Sequence, residues 1–541
     1  MPTLNQQRLD PYPPPILSLR TILLALSTLG AVSADSGEVV CRSFHHITDN
    51  VQVVSSTFYP AGSLVNISNA FQSIDTTTLP AFCRVQLAIT TNATAGSIAR
   101  TEVWLPEAWN GRFLTIGNAG FSGGVAVADL ALIATTQGYV GVSTDSGHSA
   151  NSADGSWALN NDNAMIDFGW RAMHLSVVYA KEVVEKYYGR PHSRAYFLGC
   201  SEVSLKEVQE FPDDFDGVVV GSPANWGSHF LAAQVRGILN VQPVNSSNWI
   251  SEKTWTDIIH PEVLRQCDEL DGLADGIISN PQICAFHPET LACRLDQDTS
   301  TCLTIEQIQT VHKIYADYYD VNQTYVFSGF YPGAEPGLPQ YIFGSEPIHS
   351  GEDYYRYFVL NDTNWNISQF TYATIEEGDR VNSGQSNAIS PNLTAFAGPN
   401  HKGKLIHYVG WAENLISAGH SLHYYETVNS LMRLQDDAEM DSFYRMFVVP
   451  GMEHCYFGDG ANAFGGVSQA VFNMPPLSHD ILSAVVRWVE DGIPPSTITA
   501  AHYTNNTASS GVAFTRPLCK YPATAKYVGS DPNASSSFKC V

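Results

Sequence analysis

Positive charge is what this sequence has least of: 28 Lys and Arg stand against 53 Asp and Glu, a formal net charge of −25. Nucleic acids and anionic membrane surfaces both reward Lys and Arg, so neither is expected as a partner. Beyond the N-terminal region no stretch is apolar enough to cross a bilayer. A nucleotide loop is lacking as well. The glycine-rich run from Gly117 to Gly124 offers only a Gly117-x-x-Gly120 spacing, with no acidic residue suitably placed downstream on a βαβ unit.

What is present reads as a large secreted protein. A chain of 541 residues, 44% hydrophobic and 15% charged, has room for two or more soluble domains. Arg20 precedes Ile22-Leu23-Leu24-Ala25-Leu26, and Ala31-Val32-Ser33-Ala34 supplies a small-x-small cleavage site. Residues 1–34 are therefore expected to be a signal peptide, too short for a membrane span. Nine Asn-x-Ser/Thr sequons, at Asn66, Asn92, Asn245, Asn322, Asn361, Asn366, Asn392, Asn505 and Asn533, suit an extracellular glycoprotein. Ten cysteines, an even number, suit an oxidising compartment and up to five disulfides.

The rest of the chain is organised around Arg194-Ala195-Tyr196-Phe197-Leu198-Gly199-Cys200-Ser201-Glu202. Ala195 to Leu198 reads as a short buried strand, Gly199 permits a bend, and the residues from Glu202 to Phe211 have helical composition ending before Pro212. A serine on a strand-to-helix turn is the nucleophile geometry of α/β hydrolases. The Gly-x-Ser-x-Gly consensus is not met, because Val203 stands in place of the second glycine. Strands alternate with helices from Arg100 to about Trp226 and again from Lys404, which implies an α/β fold with a mainly parallel sheet. Residues 35–226 are expected to form the first part of the core and 402–541 the second. Between them, 227–401 is loop-rich and carries Cys267, Cys284, Cys293, Cys302 and five sequons, as expected of an inserted, stapled lid.

Taking strand ends in order gives Ser201, an acid at Glu413, and His454, the Ser-acid-His order of α/β hydrolases. A base is needed to take the serine proton, and an acid to orient the base and stabilise its cation. Each residue also has an ordinary reading, Glu413 as a solvated loop carboxylate and His454 as a structural histidine. Cys200 precedes the serine and Cys455 follows the histidine. If they pair, serine and histidine are pinned side by side, because a disulfide keeps its Cα atoms within about 7 Å. The alternative is that Cys455 pairs elsewhere. Cys41 with Cys83, and Cys519 with Cys540, are further possible staples.

Several motifs resemble those of the tannase/feruloyl esterase family of fungal secreted enzymes, over nearly the whole mature length. They are Gly117-Asn118-Ala119-Gly120-Phe121, Ser143-Thr144-Asp145-Ser146-Gly147-His148, Tyr196-Phe197-Leu198-Gly199-Cys200-Ser201, Phe211-Pro212-Asp213-Asp214-Phe215-Asp216-Gly217, Gly410-Trp411-Ala412-Glu413 and Gly451-Met452-Glu453-His454-Cys455. The resemblance implies an α/β-hydrolase core with a lid, a triad of Ser201, Glu413 and His454, and a Cys200–Cys455 bond. It further implies the pairs Cys41–Cys83, Cys267–Cys284, Cys293–Cys302 and Cys519–Cys540. It implies a structural calcium ion in the lid, held by the side chains of Asp268, Asp271 and Asp275 and the carbonyls of Leu273 and Ile277, an all-oxygen set suited to a hard cation. The implied activity is hydrolysis of phenolic-acid esters such as feruloyl groups on plant wall polysaccharide, with the N–H groups of Glu202 and Ala119 holding the oxyanion. A tannase acting on galloyl esters is the alternative within the family, and a non-catalytic glycoprotein that binds phenolics the alternative outside it. Two departures from the family pattern stand out. Thr-Gly-Gly is expected after the serine, but Ser201 runs straight into Glu202-Val203-Ser204-Leu205, about three residues short. The triad acid is Glu413, where the family has Asp.

Overall fold

A computed structural model describes residues 37–201, 205–435, 440–475 and 480–541. The expected signal peptide and Glu202 lie outside the described residues. Ten strands form one sheet: β1 (His46–Thr48), β2 (Val51–Tyr59), β3 (Phe82–Asn92), β4 (Ser97–Pro106), β5 (Arg112–Ile116), β6 (Val140–Thr144), β7 (Arg194–Cys200), β8 (Gly217–Gly221), β9 (Lys404–Gly410) and β10 (Tyr444–Val449). Their spatial order is β1-β2-β3-β4-β6-β5-β7-β8-β9-β10. The first five strands in that order pair antiparallel, and those from β6 to β10 pair parallel. The parallel part follows from composition. Ala195 to Leu198, Val218 to Val220 and Leu405 to Val409 are buried throughout, which a strand tolerates only when both sheet faces are covered.

Helices supply that cover. Helix α1 (Ala172–Tyr188) ends at Gly189 in the left-handed conformation, and α2 (Leu205–Glu210) follows the serine segment. Two apolar clusters flank the sheet. One contains Val183, Phe197, Val218 and Leu405; the other contains Tyr196, Leu198, Val219, Ile406 and Leu482. Successive residues of β7 thus alternate between the two faces.

The chain leaves the sheet after Gly221 and returns to it at Lys404. The intervening insertion opens with α3 (Gly227–Val241); the apolar cluster around Trp255, Val311 and Phe343 is its own, and the one around Phe230, Tyr355 and Phe358 is shared with Phe121, Met165 and Ile416 from outside it. Cys267–Cys284 and Cys293–Cys302 staple it. After β9 come α4 (Ala418–Gln435), β10 and α5 (Ile481–Asp491), where Leu482 and Val485 are fully buried. An antiparallel hairpin, Thr497–Tyr503 with Val512–Cys519, follows α5, so β10 is the last strand of the large sheet but not of the chain.

Candidate active site

The C-terminal ends of β7, β8, β9 and β10 lie side by side in the sheet, and the loops leaving them carry the candidate residues. Ser201 follows β7 directly and has φ 75°, a left-handed backbone unusual for a residue with a Cβ. Neighbouring strands hold it there. Its N–H donates to the Gly221 carbonyl at 2.9 Å, and its carbonyl accepts from Ala224 at 2.8 Å. Strain retained by surrounding hydrogen bonds is characteristic of functional turns, and the serine of a nucleophile elbow is one such case.

Glu413 lies beyond β9 and is only 1% exposed. Its carboxylate is surrounded by donors: the Leu415 and Ile416 N–H groups at 3.1 and 3.0 Å, the Ser222 hydroxyl at 2.8 Å, and Nδ1 of His454 at 2.8 Å. A buried carboxylate with that many donors is fixed in orientation. Ser222, at the end of β8, was not foreseen from the sequence; its one signal was a serine at the tip of a parallel strand. Asn414 is the other residue missed. Fully buried, it accepts from the His454 N–H through Oδ1 at 3.3 Å and donates through Nδ2 to Glu453 at 3.3 Å. Glu453 itself is pushed up to about 7 by burial and by the nearby charges of Asp459 and Glu413.

His454 follows β10. Gly410 makes room for its loop: a Cβ there would stand 1.9 Å from the Met452 carbonyl oxygen. Cys200 and Cys455 are bonded, with Cα atoms 6.1 Å apart across 255 residues of sequence. Cys41–Cys83 and Cys519–Cys540 are bonded too. Nε2 of His454 is buried with no hydrogen-bond partner among the described residues, and no hydrogen bond joins it to Ser201. Both residues line one cavity of about 1110 Å³, mouth included. Apo sites often hold such a pair apart and close it on substrate binding.

Ala119 and Gly120 line the same cavity from the loop after β5. The Ala119 N–H makes only a long contact, 3.4 Å, to the Ser122 hydroxyl. Gly120 has φ +54°, and a Cβ there would meet the Ser152 carbonyl at 2.5 Å, so glycine is required for the loop to lie this close. Asn118 anchors the loop by donating to the carbonyls of Gly124 and Thr144. Beyond it an aromatic wall forms. Phe121 stacks on Phe358 at 4.9 Å, His148 on Trp157 at 3.7 Å, and Phe168 packs edge-on against both Phe121 and Trp157.

A carboxylate hydrogen-bonded to an imidazole and a serine on a strained turn, at the ends of strands in one parallel sheet, together make the equipment of acyl transfer. The sequence model described as "Tannase and feruloyl esterase" matches residues 83–337 and 342–541. The chain belongs to the tannase and feruloyl esterase family. That family consists of carboxylic ester hydrolases. A probable feruloyl esterase B-1 of Aspergillus oryzae is 36% identical over 94% of this chain and 94% of its own. The crystal structure of feruloyl esterase B from the same organism matches with TM-score 0.85 and 34% identity, over 94% of this chain and 100% of that one. The tannin acyl hydrolase of Aspergillus niger shares the fold, with TM-score 0.70 and 21% identity over 93% of this chain and 94% of that one.

Two places could concern a metal. In the acidic loop, Asp268 accepts from the N–H groups of Asp275 and Gly276, Asp271 from that of Leu273, and Asp275 from Ile277 and from Arg516 at 2.6 Å. Burial, with the neighbouring negative charge, pushes both Asp271 and Asp275 up. Elsewhere His174, Glu207 and Asp214 bring ligand atoms within 4.8 Å of one another, a set that the three aspartates of the loop do not form. Lys181 already stands 3.6 Å from the Asp214 carboxylate and supplies a cation there.

Proposed function

We propose that this family member is a secreted serine esterase acting on phenolic-acid esters of the feruloyl type. Oγ of Ser201 attacks the ester carbonyl carbon while Nε2 of His454 takes the hydroxyl proton. Collapse of the tetrahedral adduct breaks the bond to the alcohol oxygen, which leaves with that proton, and an acyl-serine remains. Water then attacks the acyl carbon, losing a proton to His454, and the acid departs as Ser201 regains its own. Glu413 holds the imidazole in the tautomer that leaves Nε2 free to accept, and stabilises the imidazolium. Ala119, which lines the cavity, would supply its N–H as one oxyanion donor; the second, from Glu202, lies outside the described residues. The observation that carries the proposal is the 2.8 Å bond from His454 Nδ1 to Glu413, on a loop tied by Cys455 to the residue preceding Ser201.

The aromatic wall of Phe121, Phe168 and Phe358 suits a flat phenolic ring, and a feruloyl group on plant polysaccharide is the substrate proposed. Calcium would be held by the side chains of Asp268, Asp271 and Asp275 and the carbonyls of Leu273 and Ile277. The donors are all oxygen, as a hard cation requires; Asp271 and Asp275 are desolvated beside like charge, a cost that, together with the Arg516 already bonded to Asp275, a divalent ion would relieve. It would stiffen the lid and takes no part in the reaction. Secretion rests on the N-terminal pattern, the sequons and the five disulfides.

A second reading, a phenolic-binding glycoprotein without turnover, draws on the missing Ser201–His454 hydrogen bond and the shortened segment after Ser201. A fluorophosphonate separates the two. Covalent labelling of Ser201, abolished by Ser201→Ala, and release of ferulic acid from methyl ferulate are expected of the esterase. An unlabelled, folded chain would establish the second reading, and faster cleavage of methyl gallate than of methyl ferulate would replace the feruloyl substrate with a galloyl one.

A further inference from the structure

One wall of the cavity is a single face of α3. Gly227, Phe230, Leu231 and Gln234, at positions i, i+3, i+4 and i+7, all line it. Phe230 and Leu231 are the expected apolar lining; Gln234 is not. Its side chain is almost completely buried, at 2% exposure, and neither Nε2 nor Oε1 has a hydrogen-bond partner among the described residues. A buried amide with neither its donors nor its acceptor satisfied is rare, because each lost hydrogen bond to water must be replaced. The hydroxyl of Tyr354, on the segment Tyr354–Val359 that also carries Phe358, lines the same cavity, is buried, and is likewise unpartnered. Two residues that line this space, beside Phe230, Leu231, Phe358 and Leu415, thus each carry a buried polar group without a partner among the described residues. An apolar pocket with a few convergent polar atoms is a ligand site whose polar atoms read the ligand.

Their position says which part of the ligand. Ala224, hydrogen-bonded to the Ser201 carbonyl, ties the start of α3 to the serine turn. Gln234 lies two helical turns beyond Gly227, about 10 Å along the axis. It therefore stands at the far end of the acyl group from the ester. A hydroxycinnamoyl group carries its ring oxygens two carbons further from the ester than a galloyl group does, which favours the longer acyl.

Building on the esterase reading above, we infer that Gln234 is a specificity-determining residue that hydrogen-bonds the ring oxygens of the acyl group. Oε1 accepts from the phenolic hydroxyl, Nε2 donates to the adjacent methoxy or hydroxyl oxygen, and Tyr354 supplies a further donor to the same edge. Burial raises the Tyr354 hydroxyl above its ordinary range, which keeps it protonated and able to donate.

The test measures binding, so it does not depend on turnover. In the full-length chain carrying Ser201→Ala, methyl ferulate is expected to bind at least about tenfold tighter than methyl cinnamate, which has no ring oxygen. Gln234→Leu should erase that preference by weakening methyl ferulate alone. Tyr354→Phe should reduce it in part. The melting temperature of Gln234→Leu should not fall, since no protein hydrogen bond is lost. The inference is overturned if Gln234→Leu weakens both esters alike, if neither ester binds, or if the variant melts well below the parent. Should the preference hold while the chain with Ser201 intact cleaves neither ester, the catalytic reading fails and the assignment of Gln234 stands.

Discussion

Removing the Cys200–Cys455 bond by Cys200→Ala with Cys455→Ala tests the arrangement most directly. The bond closes 255 residues of sequence. In the chain-entropy model the unfolded state gains about 5.5 kcal/mol of conformational freedom when such a loop is opened. For a protein of this size that is about 5 °C in melting temperature. Alanine is the right replacement, because both cysteines are buried, at 1% and 4% exposure, and a serine hydroxyl in either place would need a partner. The Cys293–Cys302 bond in the lid is the control. It spans 9 residues, so its removal should cost about 2.6 kcal/mol, or about 2 °C. The functional consequence separates the two more sharply than stability does. Opening the lid bond leaves Ser201 and His454 where they are, and activity should persist. Opening the core bond frees the histidine loop, and both fluorophosphonate labelling and ester cleavage should fall by on the order of 100-fold at temperatures where the variant is still folded, the cost of a misplaced base. Labelling within about twofold of the parent, in a folded Cys200→Ala/Cys455→Ala chain, would refute the claim that the bond positions the pair.

Glu413→Gln keeps the shape of the acid and removes its charge; cleavage should drop by on the order of 1,000-fold or more with little change in KM, while Glu413→Asp, the family's own residue, should retain most of the rate. A rise in KM with kcat little changed for Glu413→Gln would argue that the residue binds substrate instead. Three buried carboxyls titrate high: Glu453 is held up at about 7 from 4.5, and burial chiefly holds Asp129 and Asp145 up at about 6 from 3.8. These groups bind protons more tightly when folded, so their contribution is fully present below about pH 4 and is lost as pH rises through 6 to 7. Buried His407 and His420, held down at about 3 from 6.5, act with the opposite sign over the same interval, so the test is the difference between parent and Glu453→Gln. The parent's advantage in stability, read from the melting temperature, should shrink between pH 5 and pH 8, by roughly 3 kcal/mol at most; an advantage that grows over this interval would contradict the sign. Adding calcium to metal-stripped protein should raise the melting transition and leave kcat unchanged, with Asp275→Asn abolishing the effect. A calcium response that survives Asp275→Asn places the ion elsewhere.

The fold was legible because its parallel strands are written without ambiguity. Tyr196-Phe197-Leu198, Val218-Val219-Val220 and Leu405-Ile406 are apolar on both faces, and only a doubly covered sheet accepts such runs. The residues at strand ends were legible too, since chain order alone puts Ser201, Glu413 and His454 at tips that prove adjacent. What stayed hidden was the support. Ser222 and Asn414 act through hydrogen bonds that join residues 191 and 40 positions apart. No periodicity or spacing encodes such contacts. Gln234 was hidden for another reason: a glutamine on a helix reads as a solvated residue, and only burial against an apolar wall makes it unusual. The hairpin at Thr497–Tyr503 and Val512–Cys519 was missed because Thr, Ala and His dilute its alternation of buried and exposed residues.

Core and lid divide the work along a line that the chain itself draws. The proposed nucleophile, base and acid, Ser201, His454 and Glu413, and the Cys200–Cys455 disulfide all come from strands β7 to β10 or the loops leaving them, where parallel pairing fixes relative position. The far wall of the cavity, Gln234 and Tyr354 included, comes from the insertion between β8 and β9, which has its own disulfides and one apolar cluster of its own, and meets Phe121 and Ile416 of the core in a second. Sites far enough apart to share no partner contribute additively. Substitutions in the lid should then change which acyl group is accepted while leaving the labelling rate of Ser201 by a small fluorophosphonate unaltered, and substitutions at Glu413 or Ser222 should do the reverse. A lid substitution such as Gln234→Leu that slowed labelling as much as it weakened ester binding would show that the two parts are coupled through the cavity.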